Sequence, residues 1–265
     1  MRIKKIFWLF AVWCLAVAAE PVQVISLAPA VTEIILAVGG KADLAGRSTA
    51  CDIPEVKHVP MVGDMGKPFV EPVLKSRAKV ILTDTLAPVP QWGVLKRCGI
   101  EVIQLPGRSV SDLPGNIRMI GRVLHREAAA EQAACRAEKE LAALRSSLPE
   151  HPVRALVVIA LPPVVTCGES SFLSNALSLA GVENISGGIK QDYFVLNSEH
   201  IIAAAPEVII SFMPAGATEK YFSRNEFRNI PAVKERKFFY PDVNRLCRMA
   251  PALPGALQEL RSLLR

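Results

Sequence analysis

The feature that most constrains the fold is one long helical segment set between two stretches of alternating strands and helices. Residues Arg126–Ser147 (REAAAEQAACRAEKELAALRSS) are rich in Ala, Glu, Arg and Leu, hold no Gly or Pro, and stop before Pro149. At ~1.5 Å per residue this segment spans roughly 33 Å, more than a strand-to-strand crossover needs and about the width of a small lobe. On its N-terminal side, Val22–Ala28 predicts an apolar strand broken at Pro29, and Val31–Val38 a helix stopped by Gly39 and Gly40. Lys79–Thr83 and Glu101–Leu105 predict strands, with a helix around Pro90–Cys98 between them. Beyond Pro152 the pattern restarts: strands at Val153–Leu161, Glu207–Phe212 and Lys237–Tyr240, helices at Ser171–Leu179 and Leu253–Leu264. The class is α/β. The expected organisation is a leader at 1–19, an α/β lobe at 20–125, a connecting helix at 126–148 and a second α/β lobe at 149–265.

The two halves share a spacing. Glu71-Pro-Val-Leu74 leads to Val80-Ile81-Leu82, and Glu199-His-Ile-Ile202 leads to Val208-Ile209-Ile210. Each places a Glu nine residues ahead of a buried-type strand, with an apolar residue three after the Glu. Two similar lobes joined once by a helix have limited hinge motion, and the cleft between them is the natural ligand site.

Composition excludes several classes. The chain is too apolar for disorder, at 51% hydrophobic, and its 20 Pro and 16 Gly exclude a long coiled coil. The formal charge of +6 includes Arg2, Lys4 and Lys5, which precede the apolar run from Ile6 to Ala18. With small residues at Ala16, Ala18 and Ala19, that run reads as a cleaved secretory signal, too short for a membrane span. Cleavage leaves a charge of about +3 and no Lys/Arg run to track phosphates, which excludes nucleic acid. Bulky Trp13 before Cys14 argues for a soluble product over a lipidated one. Gly63–Pro68 lacks the first glycine and the final hydroxyl of a P-loop, and Gly168-Glu169-Ser170-Ser171 is no nucleophile elbow. The four histidines are scattered and read as surface residues, not a metal set.

Five cysteines survive cleavage (Cys51, Cys98, Cys135, Cys167 and Cys247), and none form a Cys-x-x-Cys. An odd count leaves at least one unpaired thiol or ligand in an oxidising compartment. Cys98 and Cys135 either pair or sit as small hydrophobes.

Val24-Ile25-Ser26-Leu27-Ala28-Pro29-Ala30-Val31-Thr32-Glu33, followed by Gly39, resembles the opening of periplasmic substrate-binding proteins of cobalamin and iron-siderophore ABC importers. The resemblance continues through Cys51-Asp52-Ile53-Pro54, Val62-Gly63-Asp64, Thr166-Cys167-Gly168, Asn197-Ser198-Glu199, Ala205–Ile210 and Asn229–Lys234 to Phe239-Tyr240-Pro241-Asp242. It covers nearly the whole mature chain and is strongest toward the cobalamin-binding branch. It implies two Rossmann-like lobes joined by a single long α-helix, a ligand cleft between them, and no catalysis. It also implies a corrinoid (cobalamin) ligand, with haem or an iron-siderophore as the alternative. The partner it implies is the permease dimer of an ABC importer with its ATPase, served by a monomer in the periplasm.

By the same resemblance Glu71 and Glu199 match the surface acids that dock onto permease arginines. The local alternative is that each sits in a helix's first turn, where an acid favours the macrodipole. The family's cobalamin binders line the cleft with aromatics. Here Met65 and the pair Ala50-Cys51 stand where aromatics are common, while Tyr193 keeps one at the second-lobe rim. Pro29 and Thr83 end strands that point to the cleft. Cys51, Cys167 and Cys247 fall in loops the family directs there, either as contacts to a soft metal or cofactor iron, as a disulfide, or as small pocket residues. Arg245 and Arg248, just after Asp242, are either ligand-anion contacts or a solvated basic loop.

Overall fold

The computed structural model describes residues 22–85 and 87–264, so the leader expected at 1–19 lies outside the described residues. The first lobe runs β1 (Val24–Ser26), α1 (Pro29–Ala37), β2 (Leu44–Ser48), β3 (Met61–Asp64), β4 (Lys67–Pro68), α2 (Val70–Lys75), β5 (Val80–Thr83), α3 (Gln91–Arg97) and β6 (Glu101–Gln104). Its six strands lie in the order β4-β3-β2-β1-β5-β6, parallel except for the β3–β4 hairpin. Alternate residues bury opposite faces of this sheet. Val24 and Leu82 join the core that holds α1, whereas Ile25 and Ile81 join a second core with Val73 and Leu95. A parallel sheet covered on both faces requires such continuous apolar strands, which is why they were legible.

The apolar run Val22–Ala28 is paired as a strand only through Ser26. Ala28 is already the extended residue before α1, and Pro29 takes the first helical turn, where its missing N–H costs nothing. Thr32 Oγ1 donates to Ser26 Oγ (2.8 Å), and Ser26 Oγ to the Ala28 carbonyl (3.0 Å), fastening the strand end to the helix start.

Next come α4 (Leu113–Val123) and α5 (Glu127–Ser146), separated by His125 at φ 53°. The helices pack so closely that a Cβ on Gly121 would lie 2.1 Å from that of Ala130. Arg126, just before α5, is tied to the buried Asp43 (2.9 Å). Along α5 the buried face changes core: Ala130, Ala134 and Ala137 pack with the first lobe, Leu141 and Leu144 with the second.

The second lobe contains β7 (Val153–Val158), β8 (Val165–Cys167), α6 (Phe172–Leu179), β9 (Val182–Asn184), β10 (Tyr193–Val195), α7 (Ser198–Ala204), β11 (Val208–Ser211), α8 (Ala215–Phe222), α9 (Pro231–Lys234), β12 (Phe238–Phe239), α10 (Val243–Leu246) and α11 (Leu253–Leu263). A parallel sheet in the order β12-β11-β7-β9 carries the lobe, and β8 and β10 form a separate antiparallel pair. Again the faces alternate: Ala155, Val157 and Ile210 lie in one core, Leu156, Val158 and Ile209 in the other. Among the described residues, no helix is long and apolar enough to cross a membrane.

Candidate functional site

The C-terminal ends of β1, β5 and β6 open toward the second lobe, as expected for parallel α/β sheets. Ala30 and Val31 after β1, Asp84 and Thr85 after β5, and Leu105 to Gly107 after β6 line a cavity of about 130 Å³. The second lobe closes it with Phe172, Cys247 and Met249, while Asn116 of α4 forms part of its wall. A broader trough shares Asp84 and Leu105–Gly107 and extends outward past Gln104, Arg108 and Asp112. The trough, of about 540 Å³, is of small-molecule size, and the cavity forms its inner end.

The two lobes are held together beside this cavity by charge. Arg248, after α10, donates to Glu33 Oε1 of α1 (2.9 Å), Asp52 Oδ1 (2.7 Å) and Asn244 Oδ1 (2.8 Å). Asn244 Nδ2 in turn donates to Asp52 Oδ2 (3.0 Å). Burial pushes the Glu33 carboxyl above its ordinary range, outweighing Arg248, with Asp52 and Asp242 adding repulsion. Partial desolvation opposes ionisation of Asp52 as well, yet the Arg248 hydrogen bond and charge hold it below the usual carboxylate range. The loop that presents Asp52 is ordered by the buried Arg47, which donates to the carbonyls of Ser48, Cys51, Lys57 and Val59. Two further joints cross the lobes: Met249 packs in the first core, and Asn175 Oδ1 accepts from Val110 N (2.9 Å).

The residues singled out in the sequence are distributed unevenly around this site. Cys247 lines the cavity itself, Pro29 precedes the lining Ala30, and the buried Thr83 ends β5 and donates to Thr85 O (2.8 Å). Met65 is exposed at the tip of the β3–β4 hairpin, beside Gly66, whose φ of 63° and 2.4 Å virtual Cβ contact with Thr85 O exclude a side chain. Ala50 is exposed, and Cys51 beneath it is packed into the first core. Arg248 is engaged by protein carboxylates. Arg245 points elsewhere: it forms a two-pronged pair with Glu259 of α11 (2.5 and 2.8 Å), in a depression with Tyr240 and Asp242. Asp242 caps α10 by accepting from Asn244 N (2.8 Å).

Cys167 and Tyr193 face each other across the β8–β10 pair. Desolvation raises Cys167 to about 11 and Cys247 to about 12, the neighbouring thiol adding to the latter. Burial, with Cys167 and Cys247 nearby, raises Tyr193 to about 12. The five described cysteines are all free. The pairing left open for Cys98 and Cys135 is not formed: Cys98 is exposed, and Cys135 donates to Glu131 Oε1 (3.1 Å). Trp92 lies against the second core of the first lobe and donates to Ala87 O (3.0 Å), away from the cavity lining.

Glu71 and Glu199 stand in the first turns of α2 and α7, both exposed. One turn on, each is accompanied by an exposed apolar side chain, Leu74 (42%) and Ile202 (40%). Several lining residues had escaped the sequence reading: Asp84, Leu105–Gly107, Asn116, Phe172 and Met249. The signal for Asp84, Pro106 and Gly107 is present, since they follow predicted strands at their carboxyl ends, and Leu105 ends one. Nothing local marks Asn116 or Met249, which meet from opposite lobes.

Comparison with known proteins agrees with this geometry. The profile of the family described as "Periplasmic binding protein" matches residues 24–243. A vitamin B12-binding protein of Pectobacterium atrosepticum is 26% identical over 239 residues, covering 86% of this chain and 84% of that protein. An uncharacterized ABC transporter substrate-binding lipoprotein of Bacillus subtilis, YvrC, is 27% identical over 253 residues, covering 91% and 79%. The crystal structure of the periplasmic haem-binding protein HutB of Vibrio cholerae superimposes with a TM-score of 0.81 at 20% identity, covering 91% of this chain and 98% of that one. Two parallel α/β lobes closing on a cleft, with a profile match over most of the chain, place this protein in the periplasmic binding protein family.

Proposed function

We propose that the chain is the solute-binding component of an ABC importer and that its cleft takes a corrinoid of the cobalamin type. The observation that carries the reading is the convergence of three strand ends of one lobe and the Cys247–Met249 loop of the other on one cavity. A relative named for vitamin B12 binding across most of the chain supplies the ligand class. The reading has a leader at 1–19 that exports the chain to the periplasm, a first lobe to residue 125, a connecting helix at 126–148, and a monomeric product without catalysis. Delivery to a permease dimer and its ATPase is supported by the exposed Glu71 and Glu199, each beside an exposed apolar residue. Such a paired acid-plus-apolar patch suits a two-fold partner presenting arginines.

Haem is the competing ligand, because Cys247 lines the cavity and the exposed Tyr193 lies near Cys247. The mature protein, titrated in parallel with cyanocobalamin, cobinamide and haemin, separates the two by absorbance. Corrinoid binding in the micromolar range or tighter is expected. A haemin spectral shift with no corrinoid binding overturns the proposal.

A further inference from the structure

The floor of the cleft holds two acceptors that the protein leaves without donors. Asn116 is the polar member of an otherwise apolar stripe of α4 (Leu113, Ile117, Ile120) and is only 3% exposed. Its Nδ2 donates to Pro106 O (2.7 Å) and to Met249 Sδ (3.3 Å). The proline carbonyl can only accept, which fixes the amide's orientation and leaves Oδ1 as the other end. Asn116 Oδ1 is buried and unpaired, and so is Asp84 Oδ1. Both residues line the same cavity. Buried acceptors are rarely left unpaired, and at a ligand site they mark where ligand donors belong.

Resting on the corrinoid reading, we infer that Asn116 and Asp84 form a donor-selecting subsite that receives a primary-amide arm of the ligand and rejects a carboxylate arm. An amide arm offers N–H donors to both orphan oxygens. An ionised carboxylate offers only acceptors and leaves both orphan oxygens unpaired. The cavity of about 130 Å³ has room for such an arm, and the trough of about 540 Å³ outside it has room for part of the ring that bears it. Corrinoids carry amide arms around the macrocycle, whereas haem carries carboxylates, so the floor separates the two classes that the fold alone does not. Arg108, exposed on the outer trough beside Asp112, is placed for a carboxylate arm. The selection therefore belongs to the floor and not to the rim.

The test compares cobinamide with cobyrinic acid, the same corrin with acids in place of amides, alongside haemin. Wild type should prefer cobinamide at least about tenfold, the factor one lost hydrogen-bond pairing brings. Asn116→Leu should reduce that preference about tenfold, and Asp84→Asn should reduce it about fivefold by offering a carboxylate arm an N–H donor. If Asn116→Leu fails to fold, as judged by circular dichroism, Asp84→Asn carries the test alone. Equal affinity of wild type for the two corrins overturns the subsite while leaving the corrinoid reading standing. Binding of haemin with neither corrin overturns both.

Discussion

Arg248 decides between two roles that geometry alone can separate. It sits 14% exposed against Glu33 at 23%, with Asp52 half exposed. A charge-assisted hydrogen bond in such a partly buried setting contributes roughly 2 kcal/mol, and the Asp52 link, screened by water, no more than about 0.5. Burial of Glu33 offsets part of this pairing, so the bridge favours closure by at most about 2 kcal/mol, a factor of no more than roughly 30 in the closed-to-open ratio. Where a ligand enters by parting the lobes, that factor opposes its binding. Arg248→Met keeps most of the stem and removes the guanidinium. It should widen the unliganded protein by small-angle scattering and tighten cobinamide affinity by about tenfold or more, chiefly through a faster association rate. Glu33→Gln should act in the same direction, and the double mutant should show strong non-additivity. A weaker affinity in Arg248→Met, with an unchanged envelope, refutes the reasoning and assigns the guanidinium to the ligand.

The same cluster has a signed pH dependence. Glu33, raised above its ordinary 4.5, binds its proton more tightly folded than unfolded, so its contribution to stability falls as pH rises through the window above 4.5. Asp52, lowered below 3.8, contributes stability that is present above 3.8 and lost as pH falls. Carboxyl-carbon NMR should therefore find Glu33 titrating above the ordinary glutamate value and Asp52 below the ordinary aspartate value; the opposite displacements would contradict the structure. Glu71→Arg with Glu199→Arg should abolish transport while corrinoid affinity in solution stays within about twofold; undiminished uptake would remove both acids from docking. Arg261 of α11, 3% exposed, donates to Leu144 O (2.8 Å), to Ser147 O and Oγ (3.2 and 2.7 Å) and to Leu179 O, tying the end of the connecting helix to α6. Arg261→Met should cost about 3 kcal/mol in urea unfolding, and a loss below about 1 kcal/mol would show those carbonyls satisfied otherwise.

The strands written most plainly in the sequence are those buried on both faces, although the more exposed β6 and β12 were also expected. Val80–Thr83, Val208–Ser211 and Val153–Val158 read as apolar runs because helices cover both sides of each sheet. Among the elements missed are β2 (LAGRS), the short β3–β4 hairpin, β9 and the two-stranded β8–β10 pair, where Gly, Arg and Asp interrupt the run or only three residues pair. The start expected for the connecting helix, at 126, falls at the break marked by His125, whose positive φ carries no sequence mark of its own.

What the sequence determined by itself is the architecture: period and composition set where helices and strands form, and one Ala- and Glu-rich segment free of Gly and Pro can only be the long helix. The repeated acids at Glu71 and Glu199 were legible for the same reason, being local features of two helix starts. Which polar groups face the cleft was decided by tertiary structure. Glu33 and Arg248 are 215 residues apart and Asn116 and Met249 are 133 apart. Whether an arginine meets a ligand or a carboxylate, and whether an amide oxygen keeps its water or is left bare, depends on how the two lobes close on each other. Local sequence carries no record of that closure, because burial is a property of the packed pair and not of either segment alone.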